Sequence, residues 1–173
     1  MDKRELSMDE VRHILKEHKL WVDTNHQSGA QADFSNCDLR RFDFCYGKRG
    51  ELHKFHSMNF RGTDFSGVSF ERLHFKGCDF TDAKLNNTHI VGVCFDGCNF
   101  LNTKVTQASL FVCRINQCNM QNTLLGDSKL IYCQFFDNSF REANLNRVSA
   151  EKGCHIEGNT FSAVNPVCTD FSN

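Results

Sequence analysis

The chain has 173 residues, a formal net charge of −1 and 40% apolar residues. This length suits one domain with a continuous core rather than two independent domains. The near-zero charge provides no global field to attract nucleic acid or an acidic membrane surface, so direct nucleic-acid binding is not expected. No stretch resembles a signal peptide or a transmembrane helix, and we expect a soluble cytoplasmic protein.

Residues 1–29 are predicted to form a leader with one α-helix, from about Met8 to Trp21. The charged residues 1–5 are expected to be frayed. Ser7 and Glu10 have the spacing of a capping box, in which each side chain bonds the backbone N–H of the other residue. An apolar face opposes a charged one, so the helix is expected to cap the next domain rather than to act as a recognition helix. The predicted cap residues are Ser7, Glu10, Val11, Ile14, Leu15 and Trp21.

Residues 30–173 form the second predicted unit, in which apolar residues recur with a period of five. Every fifth residue from Phe55 to Ala150 is apolar, and the residue two positions before each of them carries no charge. A helix repeats near 3.6 residues and a strand near 2, so neither explains this period. Two inward positions separated by two residues are typical of an extended chain, and the three remaining residues must turn it. The chain is therefore expected to wind into a coil around one core.

Two single-residue insertions interrupt the period. The first falls between Phe44 and Phe55, where Tyr46–Gly50 has the glycine and charge content of an exposed loop. This loop is either a contact site or a tolerated insertion. The second is predicted near residues 151–155 and moves the register to Ile156. Pro166 then occupies an expected apolar position, which indicates that the coil is ending.

The repeats resemble a known family. Residues 78–82 (CDFTD) and 83–87 (AKLNN) are similar to pentapeptide repeats, whose pattern is a small residue, Asp or Asn, Leu or Phe, and two polar residues. This resemblance implies an all-β solenoid: a right-handed quadrilateral β-helix with about 20 residues per coil and six to seven coils, closed by the N-terminal α-helical cap. Side chains twenty residues apart would stack about 4.8 Å apart. The expected core ladder is Phe60, Phe80, Phe100, Met120 and Phe140, with Phe55, Phe75, Phe95, Ile115 and Phe135.

The ten cysteines are interpreted as reduced thiols. Most of them fall in the uncharged inward register, where a thiol packs as a small hydrophobic group. Stacked cysteines would have their Cβ atoms near 4.8 Å apart, farther than a disulfide prefers. A ladder of soft-metal ligands is the alternative, but no metal or other cofactor is expected. Cys45, Cys94 and Cys168 lie outside this register and are the more exposed candidates.

One outward surface of the predicted coil is apolar. It is formed by Val91, Phe111, Val112, Ile131 and Tyr132, here called the apolar stripe. Contiguous exposed apolar surface often marks an interface, so the stripe is predicted to bind a protein partner or to form a homodimer. Isolated exposed apolar residues, which require no function, are the alternative.

No phosphate-binding loop, metalloprotease motif or paired zinc-ligand motif is present, and the scattered histidines have no catalytic-triad spacing. The leading hypothesis is therefore a non-catalytic protein-binding scaffold with an unidentified partner. The family resemblance also implies two alternatives. One is a DNA mimic that binds and protects or inhibits a type II topoisomerase such as DNA gyrase, which needs a sustained negative potential. The other is a secreted bacterial effector.

Overall fold

In the computed structural model, residues 3–44, 53–151 and 153–164 are described. The single helix among them, α1, spans Met8–Asp23, two residues beyond its predicted end. Ser7 Oγ accepts a hydrogen bond from the Glu10 N–H at 3.3 Å, and the Ser7 N–H donates to Glu10 Oε2 at 2.8 Å, so the capping box is present. Among the described helical residues, no segment is long and apolar enough to cross a membrane.

The chain after α1 forms a parallel β-solenoid in which each turn has four five-residue sides. Side A is a six-stranded parallel sheet and side D a five-stranded one. The strands of side A are β3 (His53–His56), β5 (Leu73–Lys76), β7 (Cys94–Asp96), β9 (Arg114–Asn116), β11 (Gln134–Phe136) and β13 (His155–Glu157). Those of side D are β4 (Ser69–Glu71), β6 (His89–Val91), β8 (Ser109–Phe111), β10 (Lys129–Ile131) and β12 (Ser149–Glu151).

Sides B and C are held by single parallel bridges between successive turns. On side B, Asn99 bridges Asp79 before it and Asn119 after it; on side C, Lys104 bridges Lys84 and Leu124. Partners are twenty residues apart, which confirms the expected repeat. The described residues form about 5 turns, against the predicted six to seven.

The second predicted insertion is confirmed by the strand register. Leu130 pairs with Ala150 at an offset of twenty, whereas Phe135 pairs with Ile156 at an offset of twenty-one. The extra residue therefore lies between β12 and β13. The first insertion is larger than the single residue predicted, because Asp33 bridges Asn59 and Asp38 bridges Asp64 at an offset of twenty-six. The Tyr46–Gly50 loop itself lies outside the described residues, as does Pro166.

The core is a buried phenylalanine ladder, as predicted. Phe60, Phe80 and Phe100 stack nearly parallel, with ring centroids 5.0 and 4.9 Å apart. Phe75 and Phe95 stack in the same way at 5.2 Å, and rings of the two columns meet edge to face. The other ladder residues are buried except Phe55, which is partly buried. Because one fully buried Phe contributes roughly 1.5–3 kcal/mol, these columns are the main source of stability.

The second inward register supplies hydrogen-bond donors to the core. Thr103 Oγ1 donates to the Phe80 carbonyl at 2.7 Å, and Ser128 Oγ donates to the Val105 carbonyl at 2.6 Å. Cys98 Sγ lies 3.4 Å from the Phe75 carbonyl in the equivalent position. Each donor reaches the carbonyl twenty-three residues earlier, so this register accepts polar side chains that carry a donor but no charge. The eight cysteines of the described segments are free thiols.

Two N-terminal elements cover the start of the solenoid. The first strand, β1 (Arg4–Glu5), pairs in parallel with β2 (Cys37–Asp38), so the prediction that residues 1–5 are frayed was wrong for this pair. The strand occupies a sheet edge that would otherwise present unpaired backbone groups. The second element is α1, whose Val11 is buried in the core cluster.

Candidate protein-interaction surface

The apolar stripe lies on side D, where the strand register aligns three of its residues. Val91 pairs with Phe111, and Phe111 pairs with Ile131, on successive turns. Their neighbours Phe70, Ile90, Leu110 and Leu130 point inward, because consecutive side chains of a strand alternate between its two faces. The stripe therefore faces outward as a continuous column, and two of its five residues extend it around the corner of the coil.

The stripe is the main exposed apolar surface of the coil. Between residues 53 and 151, the exposed large apolar side chains are Phe111, Val112 and Tyr132, at 39%, 51% and 51% exposure. Val91 and Ile131 are partly exposed. The rings of Phe111 and Tyr132 meet edge to face with centroids 5.9 Å apart. The structure therefore brings together all five residues that the sequence analysis selected.

The surroundings of the stripe are polar. Val91, Phe111 and Ile131 form one column of the stripe. Glu71 and Glu151 lie in register at the two ends of this column, and both are exposed. A parallel column, here called the serine column, runs along the other outward position of the same strands. Its members, in register, are Ser69, His89, Ser109, Lys129 and Ser149.

Two stripe residues occupy backbone positions that are unfavourable for them. Between Ser57 and Ala163, each described corner of the coil has one residue with positive φ, and along side D these include Val112 at φ 55° and Tyr132 at φ 53°. Gly, Asn and Asp adopt this conformation most readily, whereas a β-branched residue there is a true outlier. The Tyr132 ring also lies over Gly153, where a Cβ would come within 2.4 Å of Tyr132 Cδ1. Sequence reasoning placed these side chains on the surface but could not detect the positive φ.

The nearest approach to a catalytic arrangement is on side A. His74 Nε2 lies 2.6 Å from Asp96 Oδ2, and Cys94 is the strand partner of His74. Burial, followed by the neighbouring Asp96 carboxylate, raises the pKa of the Cys94 thiol, which opposes formation of a nucleophilic thiolate. Within the described residues, no group of three or more metal-ligating side chains is close enough to hold a metal ion. The sequence analysis missed the His74–Asp96 pair, which only the stacking of turns reveals.

The predicted cap residues occupy the start of the solenoid, with His18 as an additional contact. The Ala32 N–H donates to His18 Nδ1 at 3.0 Å, and His18 is buried. Trp21 stacks between His18 and His26, at centroid distances of 5.5 and 3.7 Å. The spacing of His18 on the apolar face of α1 was the one sequence signal for this contact. Ile14 and Leu15 are partly buried against the core.

Comparison with known proteins identifies the repeats. Residues 63–102 match the family model of pentapeptide repeats in 8 copies, which confirms the resemblance. A pentapeptide repeat protein, Rfr23, from the cyanobacterium Cyanothece has a similar fold, with a TM-score of 0.57 and 12% sequence identity over 81% of this chain and 97% of that one. At this identity the similarity concerns the fold alone.

Two further structures are more distant. QnrB1, a plasmid-mediated fluoroquinolone resistance protein, has a TM-score of 0.43 and 21% identity over 69% of this chain and 75% of its own. HetL, a pentapeptide repeat protein of the cyanobacterium Nostoc involved in heterocyst differentiation regulation, has a TM-score of 0.26 and 12% identity over 78% and 81%. No curated protein matches the sequence.

Proposed function

We propose that this solenoid, whose residues 63–102 match pentapeptide repeats, acts as a non-catalytic protein-binding scaffold whose docking surface is the apolar stripe. The rigid ladder holds successive strands of side D about 4.8 Å apart. A partner therefore meets a preformed surface and does not have to order it on binding, which lowers the entropic cost of association.

The observation that carries the proposal is the conformation of Val112. Its side chain is 51% exposed and its φ is 55°. A valine there costs stability through its backbone and gains little from burial, so the fold itself does not favour it. Strained residues persist where they serve a function, and an exposed aromatic pair beside the strained valine is typical of a binding surface.

The charge distribution favours this proposal over DNA mimicry. Several acidic side chains are neutralised by cations on an adjacent turn. Asp64 is 3.6 Å from Lys84 Nζ and Asp79 is 3.3 Å from Arg61, while Arg147 donates to Asp127 at 2.7 Å. A DNA mimic needs a sustained negative surface to replace phosphate charges. These pairs interrupt such a surface along sides B and C.

Affinity capture from a lysate of the source cells tests the proposal. Wild-type protein is compared with Phe111→Asp, which places a charge in the stripe, and with Leu124→Asp, which places the same charge at a partly exposed position on side C. We expect specific partners to be captured by the wild type and by Leu124→Asp and to be lost with Phe111→Asp. Equal capture by all three folded proteins would contradict the stripe as docking surface.

A further inference from the structure

We propose that side D packs against side D of a second copy of this chain, with the apolar stripe of each copy against the serine column of the other. Both solenoids run in the same direction, and each turn faces the same turn of the other copy. The inference rests on the proposed function, because it names one protein that occupies the docking surface. It is carried by the order of residues in the two outward columns of side D.

Two identical sheets can face each other around a two-fold axis in two simple ways. If the axis runs along the strands, the order of turns is reversed and each column meets itself. If the axis runs along the solenoid, each turn meets its own equivalent and the two columns exchange places. The side chains on side D differ strongly in how well they suit these arrangements.

The reversed arrangement is unfavourable. Centred on Phe111, it places Glu71 opposite Glu151 of the second copy, at both ends of the interface. Like charges directly opposite each other destabilise sheet contacts. It also places Phe111 opposite Phe111 and Ser109 opposite Ser109, so large groups meet large groups and small groups face small ones.

The parallel arrangement is complementary in size and in polarity. Phe111 lies opposite Ser109 of the second copy, so the largest side chain of one column meets a small one of the other. Glu71 lies opposite Ser69, and Glu151 lies opposite Ser149. A serine hydroxyl can donate to a carboxylate, so both acidic ends of the stripe gain a hydrogen-bond donor.

The remaining positions of the parallel arrangement also match. Ile131 lies opposite Lys129 of the second copy, whose four-carbon stem can cover the apolar side chain. The Lys129 ammonium then reaches towards Glu151 of the other copy, which lies on the adjacent turn about 4.8 Å further along. Val91 lies opposite His89. No pair in this arrangement places two charges of the same sign opposite each other, and the same register holds for all five strands.

The interface is small, so the dimer is expected to be weak. Five short strands present less surface than the roughly 800 Å² per partner of a standard protein interface. We expect a dissociation constant on the order of 1–100 µM.

Sedimentation velocity over a concentration series that spans this range tests the proposal. The wild type and the control variant Leu124→Asp are expected to shift from monomer to dimer, and folded Phe111→Asp is expected to remain monomeric. A wild type that stays monomeric throughout would overturn self-association. If such a monomer still captures another protein and loses it with Phe111→Asp, the scaffold function stands and only the second copy is excluded. If Phe111→Asp affects neither measurement, both proposals fail.

Cross-linking tests the direction of the pairing. Chains carrying Ser149→Cys are mixed with chains carrying Glu151→Cys and treated with a short bismaleimide, with wild-type chains as the blank for native thiols. Parallel pairing predicts that these two chains cross-link to each other. Efficient cross-linking of Glu71→Cys chains to Glu151→Cys chains instead would overturn the parallel register.

Discussion

At the scale of single residues, the corners of the coil show where the fold and the proposed function have different requirements. Asn87, Asn102 and Asn122 occupy corners with φ near 55–58°, a conformation that asparagine adopts readily. Val112 and Tyr132, both members of the stripe, occupy corners of the same backbone conformation and have no such preference. The proposed binding function of side D would account for apolar side chains at these two corners.

Replacing Val112 with asparagine should therefore stabilise the protein. The left-handed conformation costs roughly 1–2 kcal/mol for an ordinary residue and less for asparagine. We expect Val112→Asn to raise the free energy of unfolding by about 1 kcal/mol, measured by chemical denaturation. Gln117→Asn, at a corner of side A with φ 50°, is the matched control and should stabilise less, because glutamine is not β-branched. A destabilised Val112→Asn protein would refute the strain at this corner.

The residues that sequence could identify are those whose role depends on spacing. The period of five placed Phe80 and Phe100 inside and Phe111 outside, because alternation along an extended chain determines both. The backbone conformation of Val112 and the contact between His74 and Asp96 depend instead on turn geometry and on side-chain rotamers, which the period does not contain.

At the scale of elements, α1 is attached to the coil through a titratable residue. Burial lowers the pKa of His18, and its Nδ1 accepts the Ala32 N–H. Protonation of His18 at Nδ1 would place a second proton between this atom and the Ala32 nitrogen. It would also place a positive charge in a buried site. His56, from β3, packs against the same site, and its pKa is also lowered, by burial and then by His74, Lys76 and Lys54.

The docking of α1 should weaken in acid. Because the pKa of His18 is lower when folded than its usual value of about 6.5, the undocked state binds more protons as the pH falls below that value. The stabilisation is therefore complete above about pH 6.5 and is lost progressively below it. Between pH 7.5 and pH 5.5, the intrinsic rate of amide hydrogen exchange falls. The exchange of the Ala32 amide should fall by less than this, because the docked state is weakened in acid. His18→Gln should flatten this dependence; His56→Gln, the control, should retain most of it.

The extent of the leader was harder to predict than its type. The capping box of Ser7 and the apolar spacing of α1 follow from local sequence. The pairing of Arg4–Glu5 with β2 does not, because it joins segments more than thirty residues apart and depends on the free edge that the first turn creates.

At the scale of the whole molecule, each turn of the solenoid contacts only its neighbours, so damage to the ladder should remain local. Phe100 is buried between Phe80 and Met120 in its column and meets Phe95 edge to face at 5.2 Å. Removing it leaves a cavity in the middle of the core.

Phe100→Ala should destabilise the protein by about 3–5 kcal/mol. Hydrogen exchange should show lost protection in the turns on either side and smaller changes in α1. The control is Phe136→Ala, a partly exposed phenylalanine at an outward position of β11, for which a loss below about 1 kcal/mol is expected. Uniform loss of protection along the whole chain would show that the solenoid unfolds as a single unit instead.

The architecture could be predicted from sequence because one short rule repeats along nearly the whole chain, and every departure from the rule is visible as a shift in register. The size of the first insertion was underestimated, because the turn from Asp33 to Asn59 has six residues more than twenty and a further five residues leave the phase of the pattern unchanged. The surface is less predictable, since the outward positions are not constrained by packing in the core.

The most direct measurement is the affinity of Val112→Asn for the protein that the wild type binds, taken where both proteins are fully folded. If the valine is retained for binding at the expense of stability, the substitution should weaken binding by about tenfold, equal to about 1.4 kcal/mol, while the fold becomes more stable. Unchanged or tighter binding by the stabilised variant would contradict the assignment of the apolar stripe as the docking surface.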